Sequence, residues 1–362
     1  MKASIIAFST KGCDTAKKVA AAFPEGTAEV HAKTSMDTLG VPRVECSMRR
    51  WTEQAFAEND VLVFVGAIGI AVREIAPFVK RKDLDPAVIG IDELGHYCVP
   101  LLSGHIGGAN GYALEISRKI GAVPVVTTAT DINGKISIDA WAVSNGLAVQ
   151  NLGAIKDVSS AVLSGSPVGL VSDIPVGGAV PPELSGGKDA PVGVYIGYDT
   201  SAKPFPATLR LVPRTCAVGI GCRRGTPEEA IAAAVSEAFA KIGLPPESAC
   251  GFATIDLKKD EEGLISLAAR RGLPLVCYTA EELKEVPGEF SSSGFVRSVI
   301  GVDCVCERSA VRLAGGGKLL LRKQAGNGVT VAVAEKEISP SFGKRRQGPQ
   351  NQSNPAFRAL SY

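Results

Sequence analysis

Apolar runs and amphipathic stretches alternate along the first 145 residues. Ala3–Phe8, Val61–Val65, Val88–Ile91 and Val123–Thr127 read as strands, and Asp14–Ala22, Ile70–Val79 and Gly111–Ile120 as helices. In the last helix Ala113, Ile116 and Ile120 recur at helical spacing, Asn110 is placed to cap it, and Gly121 to stop it. Such alternation predicts a mostly parallel sheet with helices on both faces.

The pattern changes at residues 146–213. Eight prolines, from Pro167 to Pro213, break any long helix, leaving short β-prone pieces at Val168–Ser172, Val192–Ile196 and Thr208–Val212. These are apolar enough to pack as a small central domain. Residues 214–337 return to strand–helix alternation. Ala217–Gly221 reads as a buried strand, and Thr226-Pro227-Glu228-Glu229 reads as a helix start with Thr226 as cap. Strands at Ala249–Ile255 and Leu275–Tyr278 follow, with helices near Glu261–Arg271 and Val302–Leu313. Thr279-Ala280-Glu281-Glu282 is a second capping box, and a hairpin turning at Gly326-Asn327-Gly328 closes the unit. The expected architecture is therefore α/β throughout: an N-terminal α/β domain (1–145), a β-containing central unit (146–213) and a C-terminal α/β domain (214–337). Residues 338–362 are polar and basic, which predicts a disordered tail.

A chain of 362 residues is too long for one ordinary core. Its net charge of only +2 argues against a dedicated nucleic-acid binder. Nine scattered cysteines, with Cys304-x-Cys306 lacking zinc-knuckle spacing, read as reduced, buried thiols. The apolar start turns polar at Ser9-Thr10, too soon for a signal peptide, and no apolar run approaches the roughly 20 residues that span a bilayer. The expectation is a cytoplasmic protein with no membrane contact.

The stretch richest in chemistry is Leu101-Leu102-Ser103-Gly104-His105-Ile106-Gly107-Gly108-Ala109-Asn110-Gly111. It sets one of the chain's three histidines in a glycine-rich loop between a strand and a helix. Glycines let backbone approach a ligand closely, and a helix start offers free N–H groups to anions. Read alone, this loop allows anion binding, acyl hydrolysis or no chemistry. Neither it nor Gly66-x-x-Gly69 is a dinucleotide fingerprint, and Ser9-Thr10-Lys11-Gly12 is not a P-loop, so no nucleotide cofactor is expected. His31, His96 and His105 have no ligand spacing, so no separate metal site is expected either.

Three stretches of the first unit, Gly66–Arg73, Leu101–Asn110 and Thr127-Thr128-Ala129-Thr130-Asp131, together resemble the cobalt-precorrin-5A hydrolases (CbiG) of anaerobic cobalamin biosynthesis. Gly219-Ile220-Gly221-Cys222-Arg223-Arg224-Gly225-Thr226 is similar to that family's C-terminal module, which also occurs alone as CobE. The resemblance covers roughly residues 1–335 and excludes the tail. It implies a reaction: water opens a δ-lactone on the ring-contracted cobalt-corrinoid, acetaldehyde is released, and cobalt-precorrin-5B results. Cobalt then arrives inside the substrate, and transient contact with other enzymes of the pathway is implied.

Such chemistry needs an activated water, a stabilised oxyanion and a proton donor. His105 is the candidate base, with a reference pKa near neutral; its alternative is to hold the loop. Ser103 is a candidate for hydrogen bonding to substrate or water, and less so for a nucleophile, because no Gly-x-Ser-x-Gly elbow surrounds it. Asp131 is a candidate to orient His105 or to act as second base; an Asx turn is its alternative. The N–H groups of Gly107 and Gly108 are oxyanion candidates. Asn110, Thr128 and Thr130 are candidate substrate contacts. Arg73, Arg223 and Arg224 are candidates for the substrate's carboxylates; the Lys80-Arg81-Lys82 run reads as surface charge. Two rival readings are a non-catalytic corrinoid carrier and an α/β enzyme acting on a small anionic metabolite.

Overall fold

Pairing of the short apolar runs sorts the strands into three sheets. The computed structural model describes residues 1–81, 84–291 and 303–343. The first sheet contains β1 (Ala3–Ala7), β2 (Ala28–Ala32), β3 (Val61–Val65), β4 (Ala87–Ile91), β5 (Tyr97–Leu102) and β6 (Val123–Pro124), in the order β2-β1-β3-β4-β5-β6. β1 to β4 are parallel, β5 runs antiparallel to β4, and β6 runs parallel to β5. Every residue of β1, β3 and β4 is buried, as expected for strands covered on both faces. Alternate side chains serve the two faces. Ile5, Val63 and Ile89 pack with Cys13, Ala16 and Val19 of the Thr10–Ala20 helix and Ala113 and Ile116 of the Ala109–Ile120 helix. Ile6, Leu62, Phe64 and Val88 pack with Trp51 and Ala55 of the Met48–Glu58 helix and Ala71 and Ile75 of the Ile68–Ile75 helix.

The second sheet, β7 (Leu147–Val149), β8 (Val168–Ser172), β9 (Val192–Ile196) and β10 (Ala207–Pro213), has the order β7-β10-β9-β8. The third, β11 (Cys216–Cys222), β12 (Ala249–Ile255), β13 (Leu275–Tyr278), β14 (Leu319–Gly326) and β15 (Val329–Glu335), has the order β13-β12-β11-β15-β14. The chain is α/β throughout and forms two compact units: Met1–Ala140 carries the first sheet, Trp141–Gly343 the other two.

Several elements differ from the sequence expectation for local reasons. The helix expected at Asp14 begins at Thr10, because Ser9 Oγ accepts the Gly12 N–H at 3.0 Å. The strand expected over Val123–Thr127 is shorter, Val123–Pro124: the Val125 N–H still donates to the Cys98 carbonyl at 2.9 Å, and the chain then leads into Thr128, the cap of the Ala129–Ile132 helix. β2 and the Met48–Glu58 helix lie outside the sequence expectation, although Met48, Trp51, Ala55 and Phe56 recur at helical spacing and pack on the sheet. Thr226 does not cap its helix: its hydroxyl donates to the Arg223 carbonyl, and Pro227 takes the cap position. The start of the expected tail is packed. Phe342 is buried, and its ring stacks on Trp141 with centroids 4.4 Å apart, while Trp141 Nε1 donates to the Ser341 carbonyl. The rest of that tail, Lys82 of the basic run and Val302 at the expected helix start lie outside the described residues. All nine cysteines are free thiols, and no described helix is long and apolar enough to cross a membrane.

Candidate functional site

β5 carries the chain back to the edge of the first sheet at which β1, β3 and β4 begin, since Val88 pairs with Leu102 and Ile91 with Cys98. β6 runs alongside β5, so the segment after Pro124 leaves at that same edge. The topology thus brings the Ser103–Gly108 loop and the Thr127–Asp131 segment together, although 26 residues separate His105 from Asp131.

Local packing shapes the loop. Ser103 sits in the left-handed region (φ 56°), and its buried hydroxyl donates to the Asp85 carbonyl at 2.9 Å. A Cβ on Gly107 would lie 2.5 Å from that of Ser103, so only glycine fits. Gly108, at φ 82°, is the helix cap, and the Ala109 N–H closes back on the Ser103 carbonyl. Asn110 is therefore not the cap, contrary to the sequence expectation. It lies within the first turn, buried, with its amide directed sideways into the cluster.

That cluster is built on His105. Its Nε2 lies 3.1 Å from Asp131 Oδ2 and 3.3 Å from Thr130 Oγ1, and its Nδ1 lies 3.4 Å from Asp139 Oδ1. Asp131 belongs to the short Ala129–Ile132 helix and is partly exposed; Asp139, in the first turn of the Ile138–Ser144 helix, is buried. Asn110 Nδ2 donates to Asp131 Oδ2 at 2.9 Å and to Thr128 Oγ1 at 2.8 Å, and the Thr128 hydroxyl donates to the same Asp131 oxygen. Three donors thus converge on Oδ2. Ser137 Oγ and the Ala140 N–H donate to Asp139 Oδ1 at 2.7 and 3.0 Å.

The electrostatics follow from this geometry. Burial by itself would lower the His105 pKa, but the two carboxylates outweigh it and raise the ring to about 9. Burial likewise opposes ionisation of Asp139, yet His105 and the Ser137 and Ala140 donors bring it down to about 2. Asp131 is also lowered: burial pushes up, and His105, Thr128 and Asn110 pull down further. At neutral pH the site is an imidazolium between two carboxylates.

The residues singled out from sequence are redistributed accordingly. His105, Asp131, Asn110, Thr128 and Thr130 come together, but the last three spend their polar groups on Asp131 and His105. Ser103 does not join them, because its hydroxyl is occupied by Asp85. Gly108 offers no oxyanion donor, because its N–H donates to the His105 carbonyl. Arg73 is exposed on the Ile68–Ile75 helix, and among the described residues no hydrogen bond or ion pair joins it to the cluster. Arg223 and Arg224 lie in the other unit, both exposed, with Arg224 Nε 3.9 Å from Glu261. Asp139 was missed. An acidic residue in the first turn of a helix is an ordinary pattern, so nothing local distinguishes it. Gly66, which opens the first motif, lies at the other edge of the sheet. There it helps line a cavity of about 400 Å³ with Ser9, whose hydroxyl donates to Glu93 at 2.6 Å. Among the described residues, no group of three or more His, Cys, Asp or Glu side chains has the arrangement of a metal site.

Comparison with known proteins finds three family matches in chain order. They are "Cobalamin synthesis G N-terminal" over residues 50–131, "Cobalamin biosynthesis central region" over 136–203, and "Cobalamin synthesis G C-terminus" over 216–334. His105 and Asp131 fall in the first match and Asp139 in the second. A cobalt-precorrin-5A hydrolase of Salmonella typhimurium is 38% identical over 299 residues, which is 77% of this chain and 83% of that protein. One from Priestia megaterium is 27% identical over 91% of this chain and 94% of its own. The CobE protein of a Sinorhizobium species is 28% identical over 121 residues, 32% of this chain and 77% of that protein.

Proposed function

From the premise that this chain belongs to the cobalamin synthesis G family, we propose that it is a cobalt-precorrin-5A hydrolase whose reaction is run by the His105 cluster. The observation that carries the assignment of the site is the pairing of both His105 nitrogens with carboxylates, inside the two family-matched segments. A doubly paired imidazole has no free lone pair at neutral pH. His105 therefore begins as a proton donor rather than as the base that its reference pKa suggests.

In this reading Asp131 orients the attacking water through Oδ1, since its three hydrogen bonds all fall on Oδ2. A carboxylate with a lowered pKa aims the water but does not keep its proton, which passes through Asp131 to solvent as the new carboxylate forms. His105 gives its Nε2 proton to the oxygen that leaves as the lactone opens. The now neutral ring takes the proton back from the resulting hydroxyl. The carbon–carbon bond then breaks, acetaldehyde departs, and the conjugated macrocycle accepts the electron pair. Arg73, Arg223 and Arg224 are suited to the acetate and propionate carboxylates of the corrinoid. The reading places the protein in the cytoplasm, in transient contact with other enzymes of the pathway.

The test is anaerobic incubation of purified protein with cobalt-precorrin-5A, measuring acetaldehyde. One equivalent per corrinoid is expected, and His105→Asn is expected to lower turnover by about 10²-fold or more, the usual scale for a proton-transfer group. Corrinoid binding without acetaldehyde would leave only a carrier. Full turnover by the variant would remove His105 from the mechanism.

A further inference from the structure

We infer that Asp139 is a positioning residue that locks the proton on His105 Nδ1 and so makes Nε2 the working nitrogen of the site. The inference rests on the lactone-opening role proposed for His105, but its physical basis is independent of the substrate.

Asp139 is buried, and an unpaired buried carboxylate is expensive, so its charge implies a committed partner. Its partners come from two sides. Ser137 Oγ and the Ala140 N–H hold Oδ1 from its own segment, and His105 Nδ1 approaches the same oxygen at 3.4 Å. The opposite ring nitrogen faces Asp131, whose side chain is partly exposed, and the buried Thr130. The charged groups facing the ring are thus Asp131 from the Ala129–Ile132 helix and Asp139 from the Ile138–Ser144 helix. Lys135 lies on the connection between those helices, its N–H donating to the Thr130 carbonyl. The loop that carries His105 presents no charged side chain of its own.

The asymmetry between the two carboxylates gives them different work. Asp131 is partly exposed and stands where substrate and water arrive; Asp139 is shielded from both. When Nε2 gives up its proton, two neutral tautomers are available to the ring. A fixed carboxylate at Nδ1 selects the one that keeps the Nδ1 proton, so the lone pair forms at Nε2 and the ring can take its proton back from the same direction. Without Asp139 the ring can reprotonate at the wrong nitrogen, and its first proton is held less firmly.

The test uses full-length protein carrying Asp139→Asn, with His105→Asn to assign the ring signals among the three histidines. Nitrogen NMR without substrate should show the His105 titration midpoint falling by about one pH unit or more, with the Nε2–H tautomer gaining population in the neutral form. In turnover, kcat should fall about 10²-fold while KM stays within about threefold, and the high-pH limb should move toward neutrality. Ser137→Ala keeps the charge and loosens its hold; it should move both readouts the same way by less, and it decides the question if Asp139→Asn does not fold. An unmoved midpoint, or a kcat within about threefold of the parent, overturns the inference. Full turnover by His105→Asn would instead overturn the proposed reaction role, leaving the midpoint measurement to decide the tautomer lock.

Discussion

At the scale of single residues, one loop holds two polar side chains in contrasting surroundings. Ser103 and His105 are two residues apart, yet one hydroxyl is buried on a backbone carbonyl and one imidazole meets two carboxylates. Ser103→Ala should therefore leave acetaldehyde release within about threefold of the parent. It should lower stability by about 1 kcal/mol, the net worth of one buried hydrogen bond, as read by urea unfolding. A loss of activity near that of His105→Asn would return Ser103 to the chemistry. From sequence, His105 and Asp131 were legible as chemistry-bearing residues next to glycines and threonines. The protonation state of His105 was not, because a reference pKa near neutral holds only for a solvated ring. Asp139 was illegible for a related reason: its partner is 34 positions earlier in the chain, so no local pattern marks the pair.

At the scale of elements, short apolar runs that form strands were the most legible. Val61–Val65, Val192–Ile196, Ala249–Ile255 and Leu275–Tyr278 form over the ranges that their apolar runs predict. Capping rules were less dependable, because several side chains compete for each helix start. At Thr279 both halves of the capping box form: its hydroxyl accepts the Glu282 N–H at 3.2 Å, and the Glu282 carboxylate accepts the Thr279 N–H at 2.8 Å. At Thr226 the same pattern fails, because the nearby Arg223 carbonyl takes the hydroxyl. Thr279→Ala should accordingly cost about 1 kcal/mol in thermal unfolding, and Thr226→Ala should cost less than that cap value. Equal losses would mean that the difference in hydrogen bonding does not matter. At Asn110, tertiary contact with Asp131 outweighed a local preference for the cap.

At the scale of the whole molecule, the His105–Asp139 pair links folding to pH. The His105 pKa of about 9 stands above its reference of 6.5, so its contribution is complete below about pH 6.5 and is lost as pH rises through about 9. The Asp139 pKa of about 2 stands below its reference of 3.8, so its contribution is complete above about pH 4 and is lost as pH falls through about 2. Both shifts describe one interaction, which should stabilise most between about pH 4 and 6.5. The melting-temperature difference between the parent and His105→Asn, followed from acid to alkaline pH, should be greatest in that window and shrink on either side. A difference that is flat with pH would contradict the pairing. The amino-acid sequence by itself determined the α/β class, the apolar strand cores, the position of the glycine-rich histidine loop and the family motifs, because each is written in local periodicity or contiguous residues. Only the tertiary structure decided what the loop faces. The reversal of β5 against β4 carries His105 to the edge where Asp131 and Asp139 arrive, and those two carboxylates turn a residue that looks like a base into a protonated acid. That change comes from charges brought together across the chain, which local sequence does not encode.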